Sequence, residues 1–461
     1  MNHTALTLRS KQGFIQRKSN ESDCLSTFNL LTNDLLFDEV ERLLPPHRER
    51  LFPPTETLAM FVTQAMSADR SCQHIVNQAA IQRVVTGLPA CSTQTGGYCK
   101  ARQRLPTEMV RDLARFVGGQ MDYQVLEKWR WRGRRVRLVD GTTVTMPDTP
   151  SNQSVYPQQG SQKPGLGFPI CRVVGITCLS SGALLNAAIG RFNGKGGDEQ
   201  TLLRSIEQTL DKGDILIGDA FFPTFFHIAS MQRQGVDILM EQLGARKRSS
   251  DFRRGTKLGQ RDHLITLEKP KKKPCWMSDE AYQNAPEFII AREFKAGGKI
   301  MVTTMTCAKQ ASKESLKALY KQRWSVELDI RNIKETMGMN VLSCKTPEMV
   351  TKEIWIHLLA YNLLRLLMVQ SANATDIRPR EISFKHCLQV WLTWSRQVDT
   401  SNDEQLRILF VLMSQQRVGM RPGRIEPRAV KRRPKAYPLL TQTRPLAREN
   451  VRKNGHPKKL K

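Results

Sequence analysis

The segment from residue 136 to 241 alternates strand and helix patterns more regularly than any other part of the chain. Runs rich in Val, Ile and Thr predict a strand at 136–145, then two strands, ICRVVGITCL and ALLNAAIGRF, joined by the turn SSG. A helical pattern (DEQTLLRSIEQTL), an apolar strand (GDILIGDAFF), a second helix (PTFFHIASMQRQG) and a last strand (VDILMEQL) follow. Three antiparallel strands followed by alternating helices and strands predict a mixed sheet covered by helices.

This order is that of a ribonuclease-H-like fold, although other α/β folds share it. We therefore predict the α/β class, with a ribonuclease-H-like catalytic core that contains a β-rich insertion and follows a helical DNA-binding domain. The predicted insertion holds three strand patterns, HLITLEK, EFIIAREF and KIMVTTM. The predicted parts are a flexible N-terminus (1–25), a helical DNA-binding domain (26–130), the first part of the core (131–242), the insertion (243–311), the second part of the core (312–400) and a basic C-terminal tail (401–461). From Arg421 onward the tail is expected to be flexible and solvated.

The chain of 461 residues carries a formal net charge of +28 and has a pI near 10.0. Such a charge favours a polyanionic partner, most often nucleic acid, with an anionic membrane surface as the alternative. The longest apolar run, IWIHLLAYNLLRLLMVQ, contains His357 and Arg365, which favours a buried helix over a membrane span. The first residues lack the apolar core of a signal peptide. We therefore expect a cytoplasmic protein that associates with nucleic acid.

Ten cysteines are scattered without a CxxC pair or a histidine at ligand spacing. In the cytoplasm such cysteines are expected to be reduced core residues, and a zinc site is not predicted.

The region before residue 121 has helical patterns. PTETLAMFVTQAM and SCQHIVNQAAIQRV predict two short helices around the turn SADR. Lys100, Arg102 and Arg104 follow close together. This arrangement fits a helix-turn-helix-like unit that reads DNA. It fits a small helical bundle with a solvated basic face equally well.

One stretch, YKQRWSVELDIRNIK at 320–334, combines a single glutamate with many cations. In a regular helix, which turns by about 100° per residue, Tyr320, Arg323, Glu327, Arg331 and Lys334 fall within a wedge of about 80°. The apolar residues form an adjacent strip, so one continuous amphipathic helix is predicted at 312–337. The spacing alone also fits a solvated face with ion pairs four residues apart, such as Arg323 with Glu327.

Two aspartates stand in apolar strands of the predicted core. Asp140 lies within VRLVDGTTV, and Asp219 ends ILIGD. A charged side chain in an apolar strand is costly unless it is paired or binds a metal. If Glu327 joins them, three carboxylates suit two Mg²⁺ or Mn²⁺ ions, which prefer carboxylate and water oxygens. Two such ions can catalyse phosphoryl transfer, and Tyr320, Arg323 and Lys334 would then flank them and hold DNA phosphates.

With these residues in place, the sequence resembles the bacterial DDE transposases of the insertion-sequence-four family, relatives of the transposases of composite transposons five and ten. Its signature Y-(2)-R-(3)-E-(6)-K is matched by Tyr320, Arg323, Glu327 and Lys334 at every spacing. DGT at 140–142 and GDAFF at 218–222 resemble the first two catalytic blocks, and YNLLR at 361–365 resembles the helix after the signature. The resemblance covers about 26–400 and is strongest at 136–372.

The resemblance implies a transposase that cuts the ends of a mobile element and joins their 3′-OH groups to target DNA. It implies Asp140, Asp219 and Glu327 as catalytic metal ligands, and DNA contacts by the other three signature residues. It also implies a hairpin intermediate and a synaptic homodimer that binds terminal inverted repeats and target DNA. Ala220 and Phe221 depart from relatives that have a polar residue after the second aspartate.

DGT also occurs in haloacid-dehalogenase-like phosphatases, but these need an aspartate where this chain has Leu138, so this class is not favoured. Two alternatives remain at this point. A ribonuclease-H-like nuclease would cleave DNA without joining it. A DNA-binding regulator of transposition would lack activity, although Asp140, Asp219 and Glu327 are all intact.

Overall fold

The computed structural model describes residues 39, 42–44, 51–194, 196–395, 403–419 and 442–455. The described residues contain one nine-stranded sheet, in the order β3-β2-β1-β4-β5-β9-β8-β7-β6. Its strands are β1 (Val136–Thr145), β2 (Ile170–Cys178), β3 (Leu184–Arg191), β4 (Ile215–Gly218), β5 (Asp237–Glu241), β6 (Thr256–Gly259), β7 (Asp262–Glu268), β8 (Phe288–Ala296) and β9 (Lys299–Thr303).

The first five strands have the order and directions predicted for a ribonuclease-H-like core. β1, β2 and β3 pair antiparallel, whereas β4 lies parallel to β1 and β5 parallel to β4. The predicted fold class is confirmed.

The region at 243–311 extends this sheet. β9 pairs antiparallel with the last core strand, β5, and β8, β7 and β6 follow outward. The three strand patterns predicted there correspond to β7, β8 and β9.

The helices cover both faces of the sheet. In chain order they are α1 (Pro54–Met66), α2 (Cys72–Val85), α3 (Gly96–Arg104), α4 (Thr107–Tyr123), α5 (Pro150–Val155), α6 (Glu199–Arg204), α7 (Phe225–Gln234), α8 (Gly244–Ser249), α9 (Asp279–Gln283), α10 (Lys313–Lys321), α11 (Trp324–Arg331), α12 (Pro347–Ala374), α13 (Phe384–Trp394), α14 (Asp403–Ser414) and α15 (Arg444–Asn454). The two short helices predicted around SADR are α1 and α2.

Alternation along β1 and β4 divides the core into two apolar clusters. Leu138 and Ile217 belong to the cluster that includes residues of α10 and α11, whereas Val139 and Leu216 belong to the cluster under α4 and α12. Since successive strand side chains point to opposite faces, any residue two positions after Leu138 or Ile217 faces the α10–α11 side.

Helix α12 is long and apolar enough to cross a membrane, yet 94% of its most apolar window is buried inside the protein. Its polar residues have partners within the core. Asn362 bridges α4 and β3 by donating to the carbonyls of Ala114 and Leu184, each at 2.8 Å. The prediction of a buried helix is confirmed.

The predicted continuous signature helix is wrong. Backbone bonds from Gln322 to Leu319 and from Arg323 to Tyr320 form a tight turn that separates α10 from α11. Beyond α11, a wider π-helical turn spans Asn332–Thr336. Leu319 and Val326 are both buried in the same cluster, and the break allows both short helices to pack there.

Part of the predicted C-terminal tail at 401–461 packs on the core. Leu409 and Met413 of α14 are fully buried in the main core, because the run LRILFVLM supplies an apolar face. In α15, Arg444 pairs with Asp148 and stacks over Phe168. The remaining stretches of the tail and the predicted flexible N-terminus at 1–25 lie outside the described residues.

Candidate active site

Asp140 lies midway along β1, just beyond the part of the strand that pairs with β4, and Asp219 directly follows β4. Leu138 and Ile217 form the last pair of this parallel ladder, and each aspartate comes two residues later. The charge of Asp219 acts on Asp140 and on Tyr320 at the end of α10, so the two carboxylates are neighbours. Strand alternation turns Asp140 toward α10 and α11. The carboxyl ends of strands are where open α/β sheets bind their ligands.

Arg323 connects this pair with Glu327. Its Nη2 donates to Glu327 Oε1 at 2.5 Å, and its Nη1 lies 3.6 Å from Asp140 Oδ2. Arg323 and Asp140 are each about one-fifth exposed, and Glu327 is 31% exposed. The three predicted catalytic carboxylates are thus brought to one edge of the sheet, with a guanidinium among them.

Lys334 binds β1 directly. Its Nζ donates to Thr142 Oγ1 at 3.0 Å and to the Thr143 carbonyl at 2.7 Å. It belongs to the π-helical turn after α11, a deviation that often marks functional sites. Lys334 therefore reaches the strand that carries Asp140, on the same side as Glu327.

Tyr320 lies at the end of α10, beside the aspartates. Burial raises its pKa to about 12, and the charges of Glu241 and Asp219 add to this increase. The phenol therefore stays protonated at neutral pH and can donate a hydrogen bond.

A fourth carboxylate, Glu199, was missed by sequence reasoning. A Cβ on Gly141 would lie 2.4 Å from Cδ of Glu199, so the glycine of the DGT block leaves room for this side chain. Arg172 Nε is 3.6 Å from Glu199 Oε1. The sequence signal was the pair DE at 198–199, which looked like an ordinary acidic first turn of a helix. Asp198 does have that role, since it caps the Thr201 amide.

The electrostatics of this edge fit a divalent cation. Burial raises the pKa of Asp140 to about 6, and the neighbouring charges of Asp219 and Glu199 oppose its ionisation further. Burial likewise raises the pKa of Glu199, with a contribution from Asp219. Clustered, partly desolvated carboxylate oxygens are the donors that Mg²⁺ and Mn²⁺ prefer.

The side chains do not form a closed ligand set. Within the described part of the chain, no three Asp, Glu, His or Cys groups are arranged to hold an ion as they stand. Arg323 contacts both Asp140 and Glu327, so its guanidinium would have to withdraw before these two could share a cation.

The predicted DNA-binding residues of α3 do not share one environment. Lys100 and Arg104 are exposed, but Arg102 is only 8% exposed. Its guanidinium lies 4.6 Å from the ring centre of Phe61 and donates to Gln64 Oε1 at 3.3 Å. The DNA-binding prediction is therefore wrong for Arg102, because its side chain is part of the bundle core.

Comparison with known proteins places this geometry in a family. The family described as "Transposase DDE domain" matches residues 131–363, which include both aspartates and the signature residues. The chain is also 28% identical over 353 residues to the transposase InsG of insertion sequence element IS4 from Escherichia coli strain K12. That alignment covers 74% of this chain and 77% of the relative.

Among solved structures, a piggyBac transposase synaptic complex with hairpin DNA has a TM-score of 0.43 and 10% identity. The match covers 87% of this chain and 86% of that chain, and is too distant to place individual residues. The family match, together with the two neighbouring aspartates on the central strands and the glutamate helix, leads to one conclusion: the chain belongs to the DDE transposases, within the bacterial insertion-sequence-four family.

Proposed function

We propose that this transposase binds the terminal inverted repeats of its element, cuts the DNA there by metal-dependent phosphoryl transfer and joins the 3′-OH ends to target DNA. The observation that carries the proposal is that Asp140 and Asp219 each follow the last pair of the β1–β4 ladder by two residues and interact electrostatically, with Glu327 reached by the same arginine as Asp140. This puts three hard oxygen donors beside cationic side chains able to hold phosphate.

Asp140, Asp219 and Glu327 are the proposed ligands of two Mg²⁺ or Mn²⁺ ions. When bound, such ions polarise the phosphoryl group and favour both the attacking and the leaving oxygen. The protein supplies the geometry: the parallel ladder fixes the separation of the two aspartates, and α11 presents Glu327 to them.

Arg323 is the residue proposed to respond to DNA. Arginine binds phosphate in the same forked geometry as carboxylate, so a DNA phosphate can accept the hydrogen bonds that Arg323 now donates to Glu327. This exchange would free the carboxylates for the cation. Tyr320 and Lys334 border the same edge and are proposed to contact the cleaved strand.

End recognition is proposed for the helical region at 26–130, with Lys100 and Arg104 as phosphate contacts. The exposed arginines of the insertion, among them Arg253 and Arg254, suit non-specific contacts along the duplex. A hairpin intermediate and a homodimeric synaptic complex belong to the same proposal.

The decisive experiment is a cleavage assay on a labelled element end, in which nicked, hairpin and joined products are resolved. Glu327→Gln should lose both nicking and joining while end binding is retained. Glu335→Gln is the matched control, because Glu335 is exposed in the next turn of the same segment. Normal nicking by Glu327→Gln would contradict the proposal. Cleavage by the wild-type protein without any joined product would favour the simple nuclease.

Arg323→Ala and Lys334→Ala separate strand handling from cation binding. Both should keep part of the initial nicking and lose the later products, for which the cleaved strand must be held in a distorted path. Equal loss at every step would contradict a specific role of these residues in strand handling.

A further inference from the structure

Asp329, two residues after Glu327, is a buried carboxylate that the proposed mechanism does not use. Its side chain is fully buried, and its Oδ1 accepts hydrogen bonds from two arginines. The donors are Arg365 Nη2 at 2.8 Å and Arg380 Nη1 at 2.6 Å. A charge in this position requires such partners, since an unpaired buried carboxylate is very costly.

The two arginines anchor Asp329 to the sheet. Arg380 also donates to the carbonyls of Leu179 and Cys178, at the end of β2, at 2.7 and 2.9 Å. Arg365 packs against Gly182 in the β2–β3 turn, where a Cβ would lie 2.8 Å from its Cζ. The clamp formed by Asp329, Arg365 and Arg380 therefore ties α11 to α12 and to the sheet edge beyond β2.

Helix α11 needs such an anchor. It has only eight residues, between a tight turn and a π-helical turn, and isolated helices of this length are unstable in water. Its position therefore depends on tertiary contacts. Asp329 is the described residue of α11 that makes charged hydrogen bonds to two other parts of the core.

The clamp also lies under the active site. Asp329 Oδ2 and Thr177 Oγ1 are buried and lack hydrogen-bond partners among the described residues. Both residues line a cavity of about 30 Å³ that Asp140 and Lys334 line as well. A shift of Asp329 would therefore change the packing directly beneath Asp140, in addition to moving Glu327.

We infer that Asp329 is the positioning residue of the glutamate helix, which it holds through Arg365 and Arg380 so that Glu327 faces the two aspartates. The inference rests on the proposed role of Glu327 as a cation ligand. Asp329 itself does not touch the cation or the DNA, and acts only through the placement of Glu327.

The test is Mn²⁺ binding to the full-length protein bound to its element-end DNA, measured by calorimetry with the DNA alone as the reference, because a phosphate must first take over the hydrogen bonds of Arg323. Glu327→Gln tests the ligand assignment, and Asp329→Asn tests the clamp. Outer residues that orient metal ligands typically change metal affinity by about 10- to 100-fold, so Asp329→Asn should weaken Mn²⁺ binding about tenfold. The double variant should bind no more weakly than Glu327→Gln alone, because Asp329 acts through that residue.

Asp214→Asn is the matched control. Asp214 is 2% exposed and accepts a hydrogen bond from Arg137 at the opposite end of the sheet. It should lower the unfolding temperature while leaving Mn²⁺ affinity at the wild-type value. A general effect of buried charge loss would weaken binding in both variants and would overturn the inference.

The remaining outcomes separate the two proposals. Weaker binding in Glu327→Gln with wild-type affinity in Asp329→Asn overturns the clamp alone. Wild-type affinity in Glu327→Gln overturns the ligand assignment and the inference with it.

If Asp329→Asn does not fold, Arg380→Lys replaces this variant, since lysine keeps the positive charge of Arg380 and loses its forked hydrogen-bonding geometry. Unchanged Mn²⁺ affinity in folded Arg380→Lys would then overturn the clamp.

Discussion

Arg137 and Asp140 are two charged residues of the same strand, β1. Arg137 lies near the amino end of the strand and Asp140 lies midway along it. Arg137 is 1% exposed and donates to Asp122 at 2.5 and 2.9 Å and to Asp214 at 2.8 Å. Asp140, midway along the strand, has the guanidinium of Arg323 at 3.6 Å. We call these the closed end, formed by Arg137, Asp122 and Asp214, and the open end, formed by Asp140, Asp219, Glu199, Glu327 and Arg323.

At the closed end, each charge is paired with an opposite charge within hydrogen-bond distance. These pairs contribute to a unique fold and leave no charge there to bind a ligand. The open end gathers carboxylates that oppose one another's ionisation, which costs stability in the isolated protein. Such a local cost is common at functional sites, where a ligand later supplies the missing interaction. Buried charge is present at both ends, so burial alone does not mark a candidate functional site. What marks it is a cluster of buried charges that the protein itself does not fully neutralise.

The largest expected effect is the loss of cleavage at the open end. Asp140→Asn and Asp219→Asn should each reduce nicking by about 1,000-fold, since metal stabilisation of a phosphoryl transition state is worth several kcal/mol and each tenfold corresponds to about 1.4 kcal/mol. Single-turnover cleavage of a labelled end measures this loss. Neither variant should lower the unfolding temperature, because each removes a charge from a mutually repulsive cluster. A marked decrease in that temperature would show that the open end is structural.

Replacement at the closed end should have the opposite pattern. Asp122→Asn leaves Arg137 with an incomplete set of partners, and breaking a buried pair costs about 3–5 kcal/mol. Urea unfolding should show this loss of unfolding free energy, whereas cleavage per folded molecule should stay at the wild-type rate. A selective loss of cleavage in well-folded Asp122→Asn would break the distinction between the two ends.

The two ends should also respond to pH with opposite sign. Burial raises the folded pKa of Asp140 to about 6, above its ordinary value, so the folded state gains stability as pH falls from about 6 to 4. Burial alone would raise the pKa of Asp122 as well, but hydrogen bonds and charge from Arg137 lower it overall. Its contribution is therefore present above about pH 4 and is lost as pH falls further.

Urea unfolding between pH 7 and pH 3, with a chelator present, measures both effects. Asp140→Asn should remove the gain between pH 6 and 4, which is at most about 3 kcal/mol for a shift of about two units. Asp122→Asn should flatten the loss below pH 4. Identical pH profiles for the two variants would contradict the comparison.

The smallest expected effect concerns the hydrogen bond from Lys334 to the Thr142 hydroxyl. Thr142→Val removes this bond, which is worth about 1 kcal/mol, and should reduce the yield of joined product about fivefold. Thr143→Val is the matched control, because Thr143 accepts from Lys334 through its main-chain carbonyl. Equal effects of the two replacements would show that the side chain of Thr142 does not place Lys334.

Several features were predictable because they depend on short-range pattern. Strand alternation and the order of elements were enough for the ribonuclease-H-like core and for the aspartates within β1 and directly after β4. The buried state of α12 followed from its apolar length and its interruption by His357 and Arg365. Each of these conclusions needs only neighbouring residues and general packing rules.

Other features depended on contacts between distant segments. Arg102 looked like a surface cation until the bundle enclosed it against Phe61. The signature helix looked continuous because uniform helical geometry was assumed, whereas packing against the sheet breaks it at Gln322 and Arg323. Glu199 lies 58 residues beyond Gly141 in sequence, and no local pattern brings the two together.

The sequence by itself determined the class of fold, the DDE transposase family and the three carboxylates at the centre of the proposed chemistry, since these rest on residue type, spacing and alternation. The tertiary structure decided which charges are neutralised and which are left for a ligand. Asp329 and Glu327 lie two residues apart on one short helix, and only the arrangement of the core assigns one to a buried clamp and the other to the open end. The physical reason is that the cost of a charge depends on its partners and its burial, and both are properties of the folded chain.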